Sequence, residues 1–231
     1  MRQVKEPKCL KIQQSKKMSD LSNYRKSYEK SELTEQHLPE DPITLFKKWF
    51  IEVEESGSRG EVNAMTVSTI GLDGFPNSRV VLLKQYTHEG FIFFTNYHSN
   101  KGRAIEANPN VCLSFFWQEM ERQVIIKGVA EKTSANTSDG YFESRPHGSR
   151  LGAVVSPQSQ VVPSRNYLED NLKALEAEFE GKEVPRPEHW GGYLVKPVSV
   201  EFWQGRPNRL HDRIRFILQE NFAWKIERLA P

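Results

Sequence analysis

Cysteine is nearly absent from this 231-residue chain: only Cys9 and Cys112 occur, far apart and outside any Cys-x-x-Cys. That usage excludes a disulfide framework and the common zinc spacings, so no metal site is expected and a reduced, cytoplasmic setting fits. Long apolar runs are missing too. No stretch approaches the ~20 residues that span a bilayer, and the basic leader from Met1 to Lys17 lacks the apolar segment of a secretory signal, so no membrane role is expected. Nor is there an excess of one charge: 32 Lys and Arg against 30 Asp and Glu leave a net charge of +2, unlike the broad basic field of a nucleic-acid binder. Any anion site must be local. The chain also has no G-x-G-x-x-G, Walker A, H-E-x-x-H or G-x-S-x-G, which removes the motif support for dinucleotide, NTP and zinc-protease readings.

What is present is organised by periodicity. Residues 1–23 read as a disordered leader, and because Met18-Ser19-Asp20 resembles a natural start, the residues before it read as an upstream extension. Asp41-Pro42 opens a helix with an acid at the N-cap and proline in the first turn, and Phe46, Trp49, Phe50 and Val53 follow at helical spacing. From Asn63 the period becomes strand-like, with strands predicted at 64–70, 78–84, 91–96, 111–117 and 123–130. Asp73-Gly74 and Glu89-Gly90 supply turns. A short helix over 99–108 is capped by Ser99 and stopped by Asn108-Pro109. Helices are predicted over 134–143 and 164–180, then strands at 192–196, 198–204, 211–218 and 222–228. The best architecture is a mainly β fold, an antiparallel barrel with peripheral helices, formed by one domain over 24–231 with a helical insertion at about 134–180.

The most pointed segment is Arg209-Leu210-His211-Asp212-Arg213. Read as an extended strand, it puts Arg209, His211 and Arg213 on one face, beside the aromatic surface of Glu201-Phe202-Trp203-Gln204-Gly205. Neighbouring cations on one face call for an anion among them, here a flat phosphorylated ligand. An edge strand whose arginines pair with Asp212 or Glu227 satisfies the same residues. Tyr141 and Arg145 lie four apart on a predicted helix and share a face, and Ser149 follows in a turn containing glycine. Together they form a candidate phosphate cup, or else a capped helix end with an incidental Tyr–Arg stack.

Several segments together are recognisable. Arg79-Val80-Val81-Leu82-Leu83-Lys84, Phe94-Thr95-Asn96, Glu121-Arg122-Gln123-Val124, Tyr141 to Pro146, Trp190-Gly191-Gly192, Glu201 to Gly205, Arg209 to Arg213 and the terminal Glu227-Arg228-Leu229-Ala230-Pro231 resemble the pyridoxine/pyridoxamine 5′-phosphate oxidase family, in its order, from about Tyr24 to the end. The resemblance implies an FMN-dependent oxidase on a split β-barrel, working as a homodimer with FMN at the subunit interface. It places FMN contacts on Arg79, Val80, Val81, Leu82, Leu83, Lys84, Phe94, Thr95, Lys101, Gln123, Gln158, Ser159, Trp203 and Arg213. Substrate phosphate contacts fall on Lys84, Tyr141, Arg145 and Ser149. Arg209 and His211 face the substrate ring as the catalytic pair, and Arg25 and Tyr28 belong to a segment that covers the site.

The implied reaction takes a hydride from C4′ of pyridoxine 5′-phosphate or pyridoxamine 5′-phosphate and passes the electrons to O2, giving pyridoxal 5′-phosphate and hydrogen peroxide. A flavin reductase or an oxidase for another substrate, and a non-catalytic carrier of FMN or pyridoxal phosphate, are the competing readings. One position departs from the family pattern: Ser99-Asn100-Lys101 has Asn where an Arg is usual. Arg103, one helical turn on, is expected to reach the FMN phosphate instead.

Overall fold

The computed structural model describes residues 21–57 and 60–231. The predicted leader, apart from its last three residues, and the expected start at Met18 lie outside the described residues. Helix α1 (Pro42–Glu55) starts where its cap demands: Asp41 Oδ2 accepts from the Thr44 N–H at 2.8 Å, with Pro42 in the first turn. Its apolar stripe enters the core. Phe46 is fully buried, its ring 4.9 Å from Phe91 and 5.2 Å from Phe115, and Trp49 meets Phe202 edge-on at 5.2 Å. Burying one such ring is worth roughly 1.5–3 kcal/mol, so this stripe is a main anchor of the helix.

Nine strands follow among the described residues, all paired antiparallel: β1 (Ala64–Ile70), β2 (Pro76–Leu82), β3 (Gln85–Thr87), β4 (Gly90–Asn96), β5 (Asn110–Trp117), β6 (Arg122–Lys132), β7 (Trp190–Gln204), β8 (Asp212–Leu218) and β9 (Trp224–Arg228). Their order is β2-β1-β5-β6-β7-β4-β3, with β8 on β7 and β9 outside β8. Period two is plain in β5, where Val111, Leu113, Phe115 and Trp117 are buried in turn. The sheet forks at β7. One edge of that strand follows β6 from Tyr193 to Gln204, while on the other edge residues 190–195 pair with β4 and residues 199–204 with β8. The fold is therefore the expected antiparallel split β-barrel with peripheral helices.

Local chemistry explains both agreements and differences. Gly90 closes the β3–β4 hairpin at φ +149°, and a Cβ there would meet Val195 O at 2.1 Å, so only glycine fits. The strand expected at 78–84 ends at Leu82. There the chain changes neighbour: Leu83 N–H donates to Asn63 O, Lys84 N–H donates to Ile92 O, and the short β3 follows. The strands expected at 192–196 and 198–204 are one strand, because Pro197 stands opposite Gly128 where the register shifts, and a bulge tolerates its missing N–H.

Helix α2 (Asn100–Ala107) is capped by Ser99, whose hydroxyl accepts from Gly102 N–H. Helices α3 (Ala135–Glu143) and α5 (Arg165–Glu178) match expectation, whereas α4 (His147–Val155) replaces the predicted turn around Ser149. Phe142, Leu151, Val184 and Trp190 form a small second core that joins these helices to the sheet.

Candidate active site

A cavity of about 970 Å³ is bounded by β2, β4, the start of α2, and α3 and α4. Four of its lining side chains are cations, Arg79, Lys84, Lys101 and Arg145, and none is Asp or Glu. Lys101 is 9% exposed. Its ammonium donates to Thr95 Oγ1 at 2.7 Å, Gln158 Oε1 at 2.8 Å and Ser99 Oγ at 3.4 Å, all neutral acceptors. Burial, with the nearby Arg79 charge adding to it, pulls its pKa down to about 8. Arg79 Nη1 donates to Thr69 Oγ1 and Asn77 O, both at 2.9 Å, and burial lowers its pKa as well. Both cations lack a counter-charge that an anionic ligand would supply.

The opposite wall is aromatic. Phe94 stacks on Tyr141 with centroids 4.0 Å apart and on Trp190 at 5.6 Å. Lys84 Nζ lies 6.0 Å from the Tyr141 ring, and the Arg145 guanidinium lies 4.7 Å over Trp190 with Nη1 buried and unpartnered. Ser149 sits in the first turn of α4, where its N–H donates to Pro146 O at 2.9 Å. Its backbone N–H is therefore committed, and the hydroxyl is what it offers to the cavity.

A second group of candidates lies elsewhere. Gln123, Trp203 and Arg213 stand directly opposite one another across β6, β7 and β8 and so share one face. Gln123 Nε2 donates to Ser114 Oγ at 3.2 Å; Arg213 Nε donates to Glu201 Oε1 at 2.7 Å. His211 packs on Trp203 at 4.7 Å, and Tyr28 meets both rings edge-on at 5.8 and 5.9 Å. The Arg206 N–H donates to His211 Nδ1 at 3.1 Å, which leaves the other ring N–H on Nε2. Burial, then the Arg209 charge, lowers the pKa of His211, which favours the neutral imidazole.

Expectation fails at Arg209. Residues 207–209 form a 3₁₀ turn in which Asn208 and Arg209 have φ of 56° and 62°, and β8 begins only at Asp212, so of the three cations only Arg213 lies on the strand. The edge-strand pairing does describe Arg213 with Glu201, Arg215 with Glu227, and Arg228 with Asp212. Arg209 is exposed and enters none of these pairs.

Two family models cover most of the sequence. Residues 57–178 match the model described as pyridoxamine 5′-phosphate oxidase, and residues 190–231 match the pyridoxine 5′-phosphate oxidase C-terminal dimerisation region. A curated relative from Flavobacterium johnsoniae, named pyridoxine/pyridoxamine 5′-phosphate oxidase, is 75% identical over 92% of this chain and all of its own length. The chain belongs to the pyridoxine/pyridoxamine 5′-phosphate oxidase family. A relative of the same name from Salinibacter ruber is 49% identical over 93% of this chain and 100% of its own. Among solved structures, PhzG from Burkholderia lata 383, in complex with tetrahydrophenazine-1-carboxylic acid, superposes with a TM-score of 0.80 at 30% identity, covering 84% of this chain and 95% of that one.

Within this oxidase-family chain, all the predicted residues but Leu83 and Arg25 fall into two sets. Arg79, Val80, Val81, Leu82, Lys84, Phe94, Thr95, Lys101, Tyr141, Arg145, Ser149, Gln158 and Ser159 all line the cavity. Leu83 does not: its side chain is in the core, and its N–H and C=O are bonded to Asn63. Gln123, Trp203, Arg209, His211, Arg213 and Tyr28 form the second set. Arg25 is exposed, with Nε donating to Ser22 O at 3.0 Å, and does not line the cavity.

Arg103 does not line this cavity. Its Nη2 donates to Asn100 Oδ1 at 3.0 Å and it lines a separate, smaller cavity, while Asn100 borders both. Two residues escaped sequence reasoning. Trp190 was visible only as part of Trp-Gly-Gly. Glu121 is 2% exposed at φ 55°, and its carboxylate accepts from the Glu29 and Lys30 N–H groups at 2.8 and 3.1 Å, which pins the segment carrying Tyr28.

Proposed function

We propose that this protein oxidises pyridoxine 5′-phosphate and pyridoxamine 5′-phosphate to pyridoxal 5′-phosphate, reducing O2 to hydrogen peroxide, with FMN as cofactor and as a homodimer in the cytoplasm. The observation that carries the reading is a cavity lined by four cations and no carboxylate, in a chain 75% identical to a protein named for this activity. No helix among the described residues is long and apolar enough to cross a membrane. Residues 24–231 act as one unit, with the helical segment at about 134–180 forming one wall of the site.

The cavity residues fit FMN. A buried Lys101 with only neutral partners beside Arg79 suits the terminal phosphate, and Thr95, Gln158 and Ser159 add short polar contacts. Val80, Val81, Leu82, Lys84 and Phe94 complete the holding surface. Bound there, FMN supplies the two-electron acceptor that O2 restores.

The chain's own residues do the rest. Lys84, Tyr141, Arg145 and Ser149 hold the substrate phosphate away from the reacting carbon, so their binding energy orients the ring. Arg209 covers the ring and stabilises shifting electron density. His211, neutral and with its N–H on Nε2, donates to the oxygen on the substrate ring. Because Trp203, Arg209, His211 and Arg213 do not line the cavity and fall within the segment matching the dimerisation region, and Gln123 stands opposite Trp203, a second copy of the chain supplies this row. Tyr28, pinned through Glu121, and the exposed Arg25 cover the assembled site.

The test is to purify the protein, read its visible spectrum, and add pyridoxamine 5′-phosphate aerobically while following peroxide and pyridoxal 5′-phosphate. A yellow protein producing both in equal amounts supports the reading. FMN or pyridoxal phosphate bound without peroxide would make it a carrier, and turnover of an unphosphorylated tricyclic acid in preference would make it an oxidase of another substrate.

A further inference from the structure

Arg145, half-buried, is held differently from Lys101, the buried cation of the cavity wall. Lys101 is fixed by oxygen acceptors, whereas the Arg145 guanidinium rests on rings, 4.7 Å over Trp190 and 5.7 Å from Phe142, with Nη1 buried and unpartnered. An aromatic face attracts a cation but accepts no conventional hydrogen bond from it. The N–H groups therefore stay uncommitted.

Trp190 is itself fixed from behind. Arg186 Nη1 donates to Trp190 O at 2.7 Å, and Arg186 Nε donates to Asp139 Oδ1 at 2.5 Å. That ion pair ties α3, which carries Tyr141 and leads into Arg145, to the first residue of β7. The indole is stacked on Phe94 with planes 13° apart and is largely buried, so it has little freedom to turn.

We infer that Trp190 is a positioning residue for recognition of the substrate phosphate: its ring keeps the Arg145 guanidinium at the cavity wall with a donor reserved for the anion. This rests on the proposed phosphate cup and adds to it the residue that sets the cup's geometry. A residue that only fills the small core would, when cut back, weaken phosphorylated and unphosphorylated ligands alike.

The experiment uses the FMN-loaded protein and two probes, pyridoxal 5′-phosphate and pyridoxal, titrated by absorbance. Trp190→Leu should weaken pyridoxal 5′-phosphate roughly 10- to 30-fold, and Trp190→Phe, which keeps a smaller aromatic face, roughly 3-fold. Binding of pyridoxal and of FMN should stay within about twofold in both. Arg145→Ala should cost much less in the Trp190→Leu background than alone; if Trp190→Leu does not fold, Trp190→Phe carries the same cycle. Equal loss of both probes, or an undiminished Arg145→Ala effect in the Trp190 variants, would overturn the inference. Wild-type protein with no preference for the phosphorylated probe would sink the cup and the inference together, whereas a preference retained in full by Trp190→Leu would sink the inference alone.

Discussion

The cavity and the C-terminal strands both gather cations, and they neutralise them in opposite ways. Around the cavity, Arg79, Lys84, Lys101 and Arg145 meet hydroxyls, amides and rings but no carboxylate. On and beside β8, Arg213 is paired with Glu201, Arg215 with Glu227, and Arg228 with both Asp212 and Glu35. Paired cations hold elements together: Arg228 also donates to Leu33 O and so joins the N-terminal segment to β9. Where burial removes water from them, as at Lys101 and in part at Arg79 and Arg145, cations without an acid partner carry a desolvation cost that a bound anion would offset. A cluster of positive residues thus marks an anion site when its acids are missing, and a scaffold when they are present. Arg209 is exposed and outside these pairs, so it carries no such cost, and its assignment to the ligand-binding set rests on the proposed function.

The largest expected effect tests that assignment. Arg209→Ala should lower kcat/KM for pyridoxamine 5′-phosphate by roughly 10² or more, as loss of a preorganised charge over the reacting ring does elsewhere, with FMN affinity unchanged. A change under threefold would return Arg209 to the scaffold. Arg145→Ala should instead raise KM roughly 10- to 100-fold with kcat nearly preserved, since a charge-assisted bond remote from C4′ acts in ground and transition states alike. Steady-state kinetics separate the two outcomes.

Lys101 gives a pH signature that the paired arginines lack. Its pKa of about 8 lies below the ordinary 10.5, so the FMN-free protein carries the full burial penalty below pH 8 and gains stability as pH rises from 8 to 10.5. A bound phosphate raises that pKa, so FMN affinity should fall about tenfold between pH 7.5 and 9, and Lys101→Met should flatten the profile. Fluorescence titration of FMN across that range decides it. The smallest effect is expected at Arg103, which is held on Asn100 outside the main cavity: Arg103→Ala should weaken FMN by less than about threefold, as for an exposed charge contact. A tenfold loss would restore it to a direct role.

Elements with a local physical signal were legible in the sequence. Asp41-Pro42 and Ser99 cap their helices as read, and the alternation of β5 and the turn at Gly90 were plain. Tyr141 and Arg145, four apart, do reach one cavity. Helix α4 was hidden because it opens on Pro146-His147-Gly148, with no side-chain cap hydrogen bond and a glycine in its first turn. Pro197 disguised β7 as two strands, since the bulge that accommodates it, with Val198 left unpaired between Pro197 and Ser199, shows only against β6, a partner far away in sequence. The left-handed turn at Asn208-Arg209 uses two residues that are not glycine, so nothing in the local sequence opposes a continuous strand through Arg213. Most of all, the division of the candidates into two separate groups depends on tertiary placement, and linear order carries no trace of it.

That division is the central claim: one copy supplies the cavity and its partner supplies the Arg209–His211 side. Co-expressing Arg145→Ala and Arg209→Ala chains, each nearly inactive at limiting substrate, tests it directly. In a symmetric dimer, random pairing makes about half the dimers mixed, each with one site built from two unmutated halves, so the mixture should regain about a quarter of wild-type kcat/KM. Activity no higher than the average of the two variants alone would show that each site is completed within a single chain, contradicting the account.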